Sequence, residues 1–166
     1  ALSKDEVMNF KLKGIDLELS EVMVEATRAR ASTPVAQTNI AYAEIEKNNL
    51  GQDLPILLQN EVSMVSTSDA GAGIGYTGFR LRGSDATRIN VTVNGIPIND
   101  SESQGVYWVN MPDFASSTEN IQIQRGVGTS TNGAGAFGGS VNLQTDELKE
   151  EAYGEISTSF GSFNTQ

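Results

Sequence analysis

The chain contains no histidine and no cysteine among its 166 residues. A structural zinc site, a Ser-His-Asp or Cys-His nucleophile, a haem ligand of the usual kind and a disulfide are therefore excluded. Any catalysis would fall to carboxylates, lysine, tyrosine or serine. Positive charge is scarce too: 11 Lys plus Arg against 21 Asp plus Glu give a formal net charge of -10. Nucleic-acid affinity rests on Lys and Arg at phosphates, so no nucleic-acid partner is expected. Long hydrophobic runs are also missing. No window approaches the roughly 20 apolar residues of a spanning helix, and Ala1–Phe10 is neither basic nor apolar enough for a signal peptide. On hydropathy alone the chain reads as a soluble mature fragment. Its lack of cysteine suits an oxidising compartment as well as a reducing one.

What is present suffices for one domain with a modest core, since 38% of the residues are hydrophobic. Glycine is unevenly spread, with all but Gly14 and Gly51 at or after Gly71, so the chain changes character near residue 70. Before that point, Val22-Met23-Val24 is framed by Glu18, Glu21 and Glu25 and reads as one extended segment. Thr27–Thr33 is polar and basic and ends at Pro34, which biases Thr33 away from helix. Residues 1–33 read as a flexible arm. Val35–Ile40 reads as a short strand, Tyr42–Lys47 as a short helix, and Gln52–Gln59 as a second helix with Pro55 in its first turn.

From Val62 onward the apolar period becomes two. Phe79 and Leu81, Val91 and Val93, Ile121 and Ile123, and Val141 and Leu143 each alternate with polar residues, which predicts four short strands with one apolar face apiece. Asn94-Gly95 marks a type I′ hairpin, and Pro97 places the returning strand at a sheet edge. Three long connections remain, Ser66–Gly78, Asn99–Met111 and Gly126–Gly139, and loops of that length are commonly functional or disordered.

Gly73–Gly78 and Gly133–Gly138 both match the dinucleotide pattern GxGxxG, but each runs into a predicted strand, so no helix N-terminus waits for a pyrophosphate. Asp100 and Glu102 would sit about 7 Å apart on one face of an extended segment, a spacing permissive for a carboxylate pair. Solvated loop charges are the other account, and the glycine and terminal Glu of a calcium loop are missing. Asn90-Val91-Thr92 fits the glycosylation triplet but lies in a predicted strand. Tyr107 and Trp108, the chain's single tryptophan, sit in a polar loop where amphipathic rings suit ligand contact. Trp108 could equally pack back over the core. Arg82 and Arg125 each end a strand and precede glycine, a repeated placement that suits guanidinium contact with carboxylates.

Together these residues resemble the plug domain of the TonB-dependent outer-membrane receptors, the energised importers of Gram-negative bacteria. Ser20–Arg28 resembles the family's energy-coupling box. Phe79-Arg80-Leu81-Arg82-Gly83 resembles its arginine-glycine strand, and Asn90–Pro97 its hairpin, with Asn94 where Asp is usual. Ile121–Gly126 followed by Asn132–Thr145 resembles its closing signature. One departure stands out: the family usually has Pro-Gly after the second helix, where this chain has Asn60-Glu61-Val62-Ser63.

The resemblance implies an α+β fold, a small mixed four-stranded sheet with short helices and long glycine-rich loops. It divides the chain into the end of a preceding periplasmic segment (1–19), a TonB-box arm (20–33), the plug (34–146) and the start of a truncated β-barrel (147–166). It implies a gate for an active transporter of a scarce ligand, most simply a ferric siderophore, located in the outer membrane with the arm periplasmic. Glu21, Val22, Met23 and Val24 would bind TonB, and Arg82 and Arg125 would contact the receptor's own barrel. Tyr76, Asp100, Glu102, Tyr107 and Trp108 would face ligand. No enzyme activity, metal or cofactor is implied. A soluble glycan-binding or adhesin module, or a weak carboxylate glycosidase, is the alternative from the residues alone.

Overall fold

The computed structural model describes residues 27–30, 32–128, 130–133, 135–147, 149, 151–154, 156, 158 and 160–162. The first strand, β1 (Ala36–Ala41), runs directly into helix α1 (Tyr42–Asn48). Only Ile45 of α1 is buried, and Glu44 in the first turn and Lys47 in the last complement the helix dipole. Helix α2 (Leu54–Leu57) carries Pro55 at its start, where the missing N–H costs least, and tightens into a 3₁₀ turn over Leu58–Asn60. Strands β2 (Met64–Ser68) and β3 (Thr77–Leu81) form an antiparallel hairpin of their own.

The remaining strands are β4 (Ile89–Val93), β5 (Ile96–Pro97), β6 (Thr118–Arg125) and β7 (Gly139–Thr145). They form with β1 a five-stranded sheet of order β1-β6-β7-β4-β5, in which only β4 and β7 run parallel. The α+β class and the mixed sheet agree with the sequence reading, but the sheet has five strands rather than four and a second sheet is present. Strand β2 escaped because its MVSTS sequence gives it one buried residue, Met64, and otherwise reads as loop. The connection expected over Ser66–Gly78 is therefore shorter.

The β4–β5 turn is the predicted one: Asn94 and Gly95 both have positive φ (49° and 81°) and β5 is an edge strand. Asn94 also clasps the end of β7, donating from Nδ2 to Thr145 Oγ1 at 2.9 Å and accepting Thr145 N–H at 3.0 Å. With the usual Asp in that place the Thr145 hydroxyl would have to donate, so the amide reverses the direction of one bond in the clasp.

Register sorts the sheet into two chemical faces. Ile121 pairs with Leu143, Ile123 with Val141, and Val91 with Val141, all on the face that joins Ile45, Leu54, Leu58, Phe79 and Trp108 in one core. On the other face Gln122 and Thr92 both pair with Asn142, and Gln124 with Ser140. Those residues are buried too. Close approach explains Gly139: a Cβ there would fall 2.3 Å from the Gln124 carbonyl oxygen and 2.4 Å from Leu81 Cδ2.

Thr27–Arg30, expected within a flexible arm, lies against the polar face, with Ala29 only 5% exposed. The start of a truncated barrel expected over residues 147–166 falls partly outside the described residues, and Tyr153, Ile156 and Phe160 are exposed.

Candidate functional site

Two loops and one turn carry the candidate residues. The first loop, residues 69–76, is anchored at its base by the residues that precede α2. Asp53, 1% exposed, donates its N–H to Gly73 O at 2.9 Å. Its carboxylate accepts Gly75 N–H at 2.9 Å and the Thr77 hydroxyl at 2.8 Å. Gln52 Nε2 adds a bond to Ala72 O at 3.1 Å. The base is fixed, and Ile74 and Tyr76 are left projecting, 53% and 69% exposed.

The second loop, 99–107, follows β5 and starts alongside β4. Asn99 accepts Val91 N–H at 2.8 Å and donates to Ile89 O and Gln104 O, both at 2.9 Å. Its amide thus substitutes for a neighbouring strand along β4. Asp100 does not lie on an extended segment beside Glu102, as the spacing suggested. It closes a tight turn, its Oδ1 accepting Ser103 N–H at 2.7 Å, Ser103 Oγ–H at 2.9 Å and Glu102 N–H at 3.1 Å. Those bonds, the Ser103 backbone bond first, hold its carboxyl below the usual range despite full exposure. Glu102 and Tyr107 are exposed.

Trp108 is a correction. It is 3% exposed, with its ring 5.8 Å from that of Phe79 at an interplanar angle of 42°. A single large ring beside a thin core removes more apolar area from water inward than outward, so the indole joins the core beneath the loop.

The two strand-end arginines converge on the 61–63 turn, where the sequence departs from the resembled pattern. Ser63 adopts φ 65° and its carbonyl accepts Arg82 N–H at 2.9 Å. Arg125 Nε donates to Val62 O at 2.8 Å, and its Nη2 lies 3.8 Å from Glu61 Oε2. Arg82 Nη1 lies 3.1 Å from where a Cβ on Gly126 would stand. Arg125 is 8% exposed, and its Nη2 is buried with no hydrogen-bond partner. Burial pushes the Glu61 carboxyl up, helped by Glu44 and opposed by Arg125.

No group of three or more His, Cys, Asp or Glu residues that could hold a metal occurs among the described residues. Glu21, Val22, Met23 and Val24 lie outside them. Sequence reasoning missed Asp53, Asn99, Glu61, Gln122 and Gln124. Asp53 carried one usable signal, its place just before Leu54-Pro55, which reads as a helix cap although its side chain serves the loop instead. The glutamines carried none, because polar residues alternating along a strand read as a solvated face.

The TonB-dependent receptor plug domain model matches residues 29–140. The chain is 28% identical over 137 residues to the hemoglobin and hemoglobin-haptoglobin-binding protein A of Haemophilus influenzae, covering 76% of this chain and 12% of that protein. It is 26% identical over 155 residues to the ferric enterobactin receptor of Pseudomonas aeruginosa, covering 87% of this chain and 21% of that one. The crystal structure of a variant of the latter receptor superposes with a TM-score of 0.55 at 23% identity, over 72% of this chain and 18% of that one, which speaks to the fold. The chain thus spans about a fifth or less of the curated relatives it matches. With the family model covering most of the described residues, and both strand-end arginines and the closing glycines inside the match, the chain belongs to the plug-domain family of TonB-dependent receptors.

Proposed function

We propose that this plug gates an outer-membrane β-barrel that imports a scarce ligand, an iron–siderophore complex in the simplest case, using energy delivered by TonB. The observation that carries the reading is the match over residues 29–140, supported by a hemoglobin- and hemoglobin-haptoglobin-binding protein and a ferric enterobactin receptor among the relatives. The sequence immediately before the match supplies the coupling segment. In this reading Glu21, Val22, Met23 and Val24 add as a strand to the edge of TonB when it binds, where main-chain hydrogen bonds give affinity and orientation without a deep pocket.

Arg82 and Arg125 face the receptor's own barrel in this reading. Arg82 is exposed, and Arg125 Nη2, although buried 3.8 Å from Glu61 Oε2, makes no hydrogen bond within the plug, so a movement at this rim would give it a barrel carboxylate as acceptor. Ligand meets the two anchored loops through Tyr76, Tyr107 and Glu102, while Asp100 shapes its turn and Trp108 backs the loop from the core. The arm lies in the periplasm and the loops face outward.

The test is uptake of radiolabelled iron, offered as ferric enterobactin and as haem, by cells whose receptor gene carries this plug. Val22→Pro removes a donor from the added strand and is expected to abolish uptake while ligand binding at the cell surface persists. Intact uptake in that variant would sink TonB coupling through this segment.

A further inference from the structure

Loop 69–76 does not hold a shape through its own residues. Gly71, Gly73 and Gly75 sit at positive φ (75°, 77° and 100°), and glycines so closely spaced leave the backbone many conformations of similar energy. A single carboxylate oxygen fixes the loop. Asp53 Oδ2 accepts Gly75 N–H at 2.9 Å and the Thr77 hydroxyl at 2.8 Å, so Tyr76 is tied on both sides to the same atom. Ser68 Oγ accepts Gly73 N–H at 3.1 Å, and Tyr76 O accepts Asp69 N–H at 3.1 Å, which closes the neck of the loop. Gly73 is packed as well, since a Cβ there would fall 2.7 Å from Gln52 Nε2. The Tyr76 ring is left outside on a backbone with little freedom.

The same carboxylate has no cation beside it. Asp53 is buried, and none of the ion pairs among the described residues involves it. The sequence has no Lys or Arg from Asn48 to Phe79, nor from Ile89 to Gln124, and the second of these stretches adds Asp100 and Glu102. A buried charge is screened less than a surface one, so its field reaches the loop above it. Tyr76 and Tyr107 are both exposed in these stretches, and the faces of phenolic rings attract cations. The contact of Trp108 with Phe79, 5.8 Å between ring centroids, brings the two stretches together.

We propose that Asp53 is a positioning residue for the imported ligand: the bonds of its carboxylate on either side of Tyr76 set the shape of loop 69–76, and its buried charge sets the sign of the field there, so that an uncharged or cationic iron chelate is favoured over a polyanionic one. The proposal rests on the reading that Tyr76 meets ligand. Three hydroxamates around ferric iron leave no net charge, and a pendant ammonium makes that chelate a cation, whereas three catecholates make a trianion. Shape and charge separate cleanly at this site. Thr77→Val removes one donor and keeps the charge, while Asp53→Asn keeps an oxygen for both donors and removes the charge.

The test uses the full-length receptor in cells lacking other siderophore receptors, and three iron chelates labelled with radioactive iron. These are ferrioxamine B, a ferric trishydroxamate with a free ammonium; the same chelate N-acetylated and so uncharged; and trianionic ferric enterobactin. The parent should bind the first two more tightly than the third. Thr77→Val should weaken binding of all three alike, by about fivefold, because the loop loses a bond to a charged acceptor. Asp53→Asn should retain most binding of the uncharged chelate and narrow the preference for cation over trianion severalfold. Tyr76→Cys reads the charge without a ligand, since the chain has no other thiol. A cationic methanethiosulfonate should outpace an anionic one there, each rate taken relative to free cysteine, and Asp53→Asn should reduce the excess. The shape role is wrong if Thr77→Val binds as the parent does, or if Asp53→Asn loses the uncharged chelate. The charge role is wrong if Asp53→Asn leaves the chelate preference and the thiol rates unchanged, or if the parent prefers the trianion. If Tyr76→Ser binds all three as the parent does, ligand does not meet this loop, and the reading beneath the proposal fails whatever the other variants show. If the parent binds none of them, the iron-chelate reading itself fails.

Discussion

The two faces of the five-stranded sheet come from the same strands by simple alternation, yet they are held by different physics. On one face Ile121, Ile123, Val141 and Leu143 meet the helices and the β2–β3 hairpin through non-directional apolar contact. On the other, Gln122, Gln124, Ser140 and Asn142 are nearly as buried, and each depends on specific partners. An apolar face tolerates small shifts and resists opening. A polar face loses less to water when its partners leave, because its donors and acceptors can bond to solvent instead.

The largest effect should come from the apolar side. Ile123→Ala is expected to lower the stability of the fold by about 2–5 kcal/mol, because a fully buried side chain leaves a cavity. Chemical denaturation followed by tryptophan fluorescence reads this well, since Trp108 lies in the same core. Next, Gln124→Leu should cost about 1–3 kcal/mol by stranding Asn132 Nδ2 and Thr27 O. Proteolysis should then cut first near Thr27 while the sheet survives. Equal and global loss in both variants would erase the distinction between the faces.

A smaller effect sharpens the boundary between them. Arg125 follows the apolar row at the end of β6, so its charge sits at the rim of the core beside Glu61. The Glu61 carboxyl is held above its ordinary value of 4.5, first by burial, then by Glu44, against Arg125. A raised folded value means that this group's contribution to stability is fully present below 4.5 and is lost as pH rises through the folded value. Arg125→Met should push the Glu61 titration higher and Glu44→Gln should bring it down, followed by NMR of the carboxyl. Asp100 has the opposite sign: its contribution is present above its ordinary value of 3.8 and is lost as pH falls through the depressed folded one. Smallest of all, Tyr76→Ser should change stability by no more than about 0.5 kcal/mol, because its ring is largely exposed, while weakening ligand binding by the full receptor.

Much of the fold was legible because it depends on local rules. Period-two alternation marked β3, β4, β6 and β7, Asn94-Gly95 marked a turn that needs two positive φ values, and Pro55 marked a helix start. Strand β2 was not legible, since Met64–Ser68 acquires its strand character from pairing with Thr77–Leu81 rather than from its own composition. The site was less readable. The exposed positions of Tyr76 and Tyr107 were within reach, but the inward turn of Trp108 and the tight cap formed by Asp100 depend on neighbours remote or local that spacing does not encode.

The sequence by itself determined what chemistry is absent, the order of most elements and the signature that assigns the family. Alternation could say only that Gln122, Gln124 and Asn142 point away from the apolar residues, not what they meet. The tertiary structure decided that, by returning Thr27–Arg30 across the sheet and so turning an apparently solvated face into a buried one. The reason is physical: a strand's own residues set which side a side chain occupies, whereas burial and hydrogen-bond partners are set by chain that lies about ninety residues away in sequence, as the Ala29–Gln122 pair does.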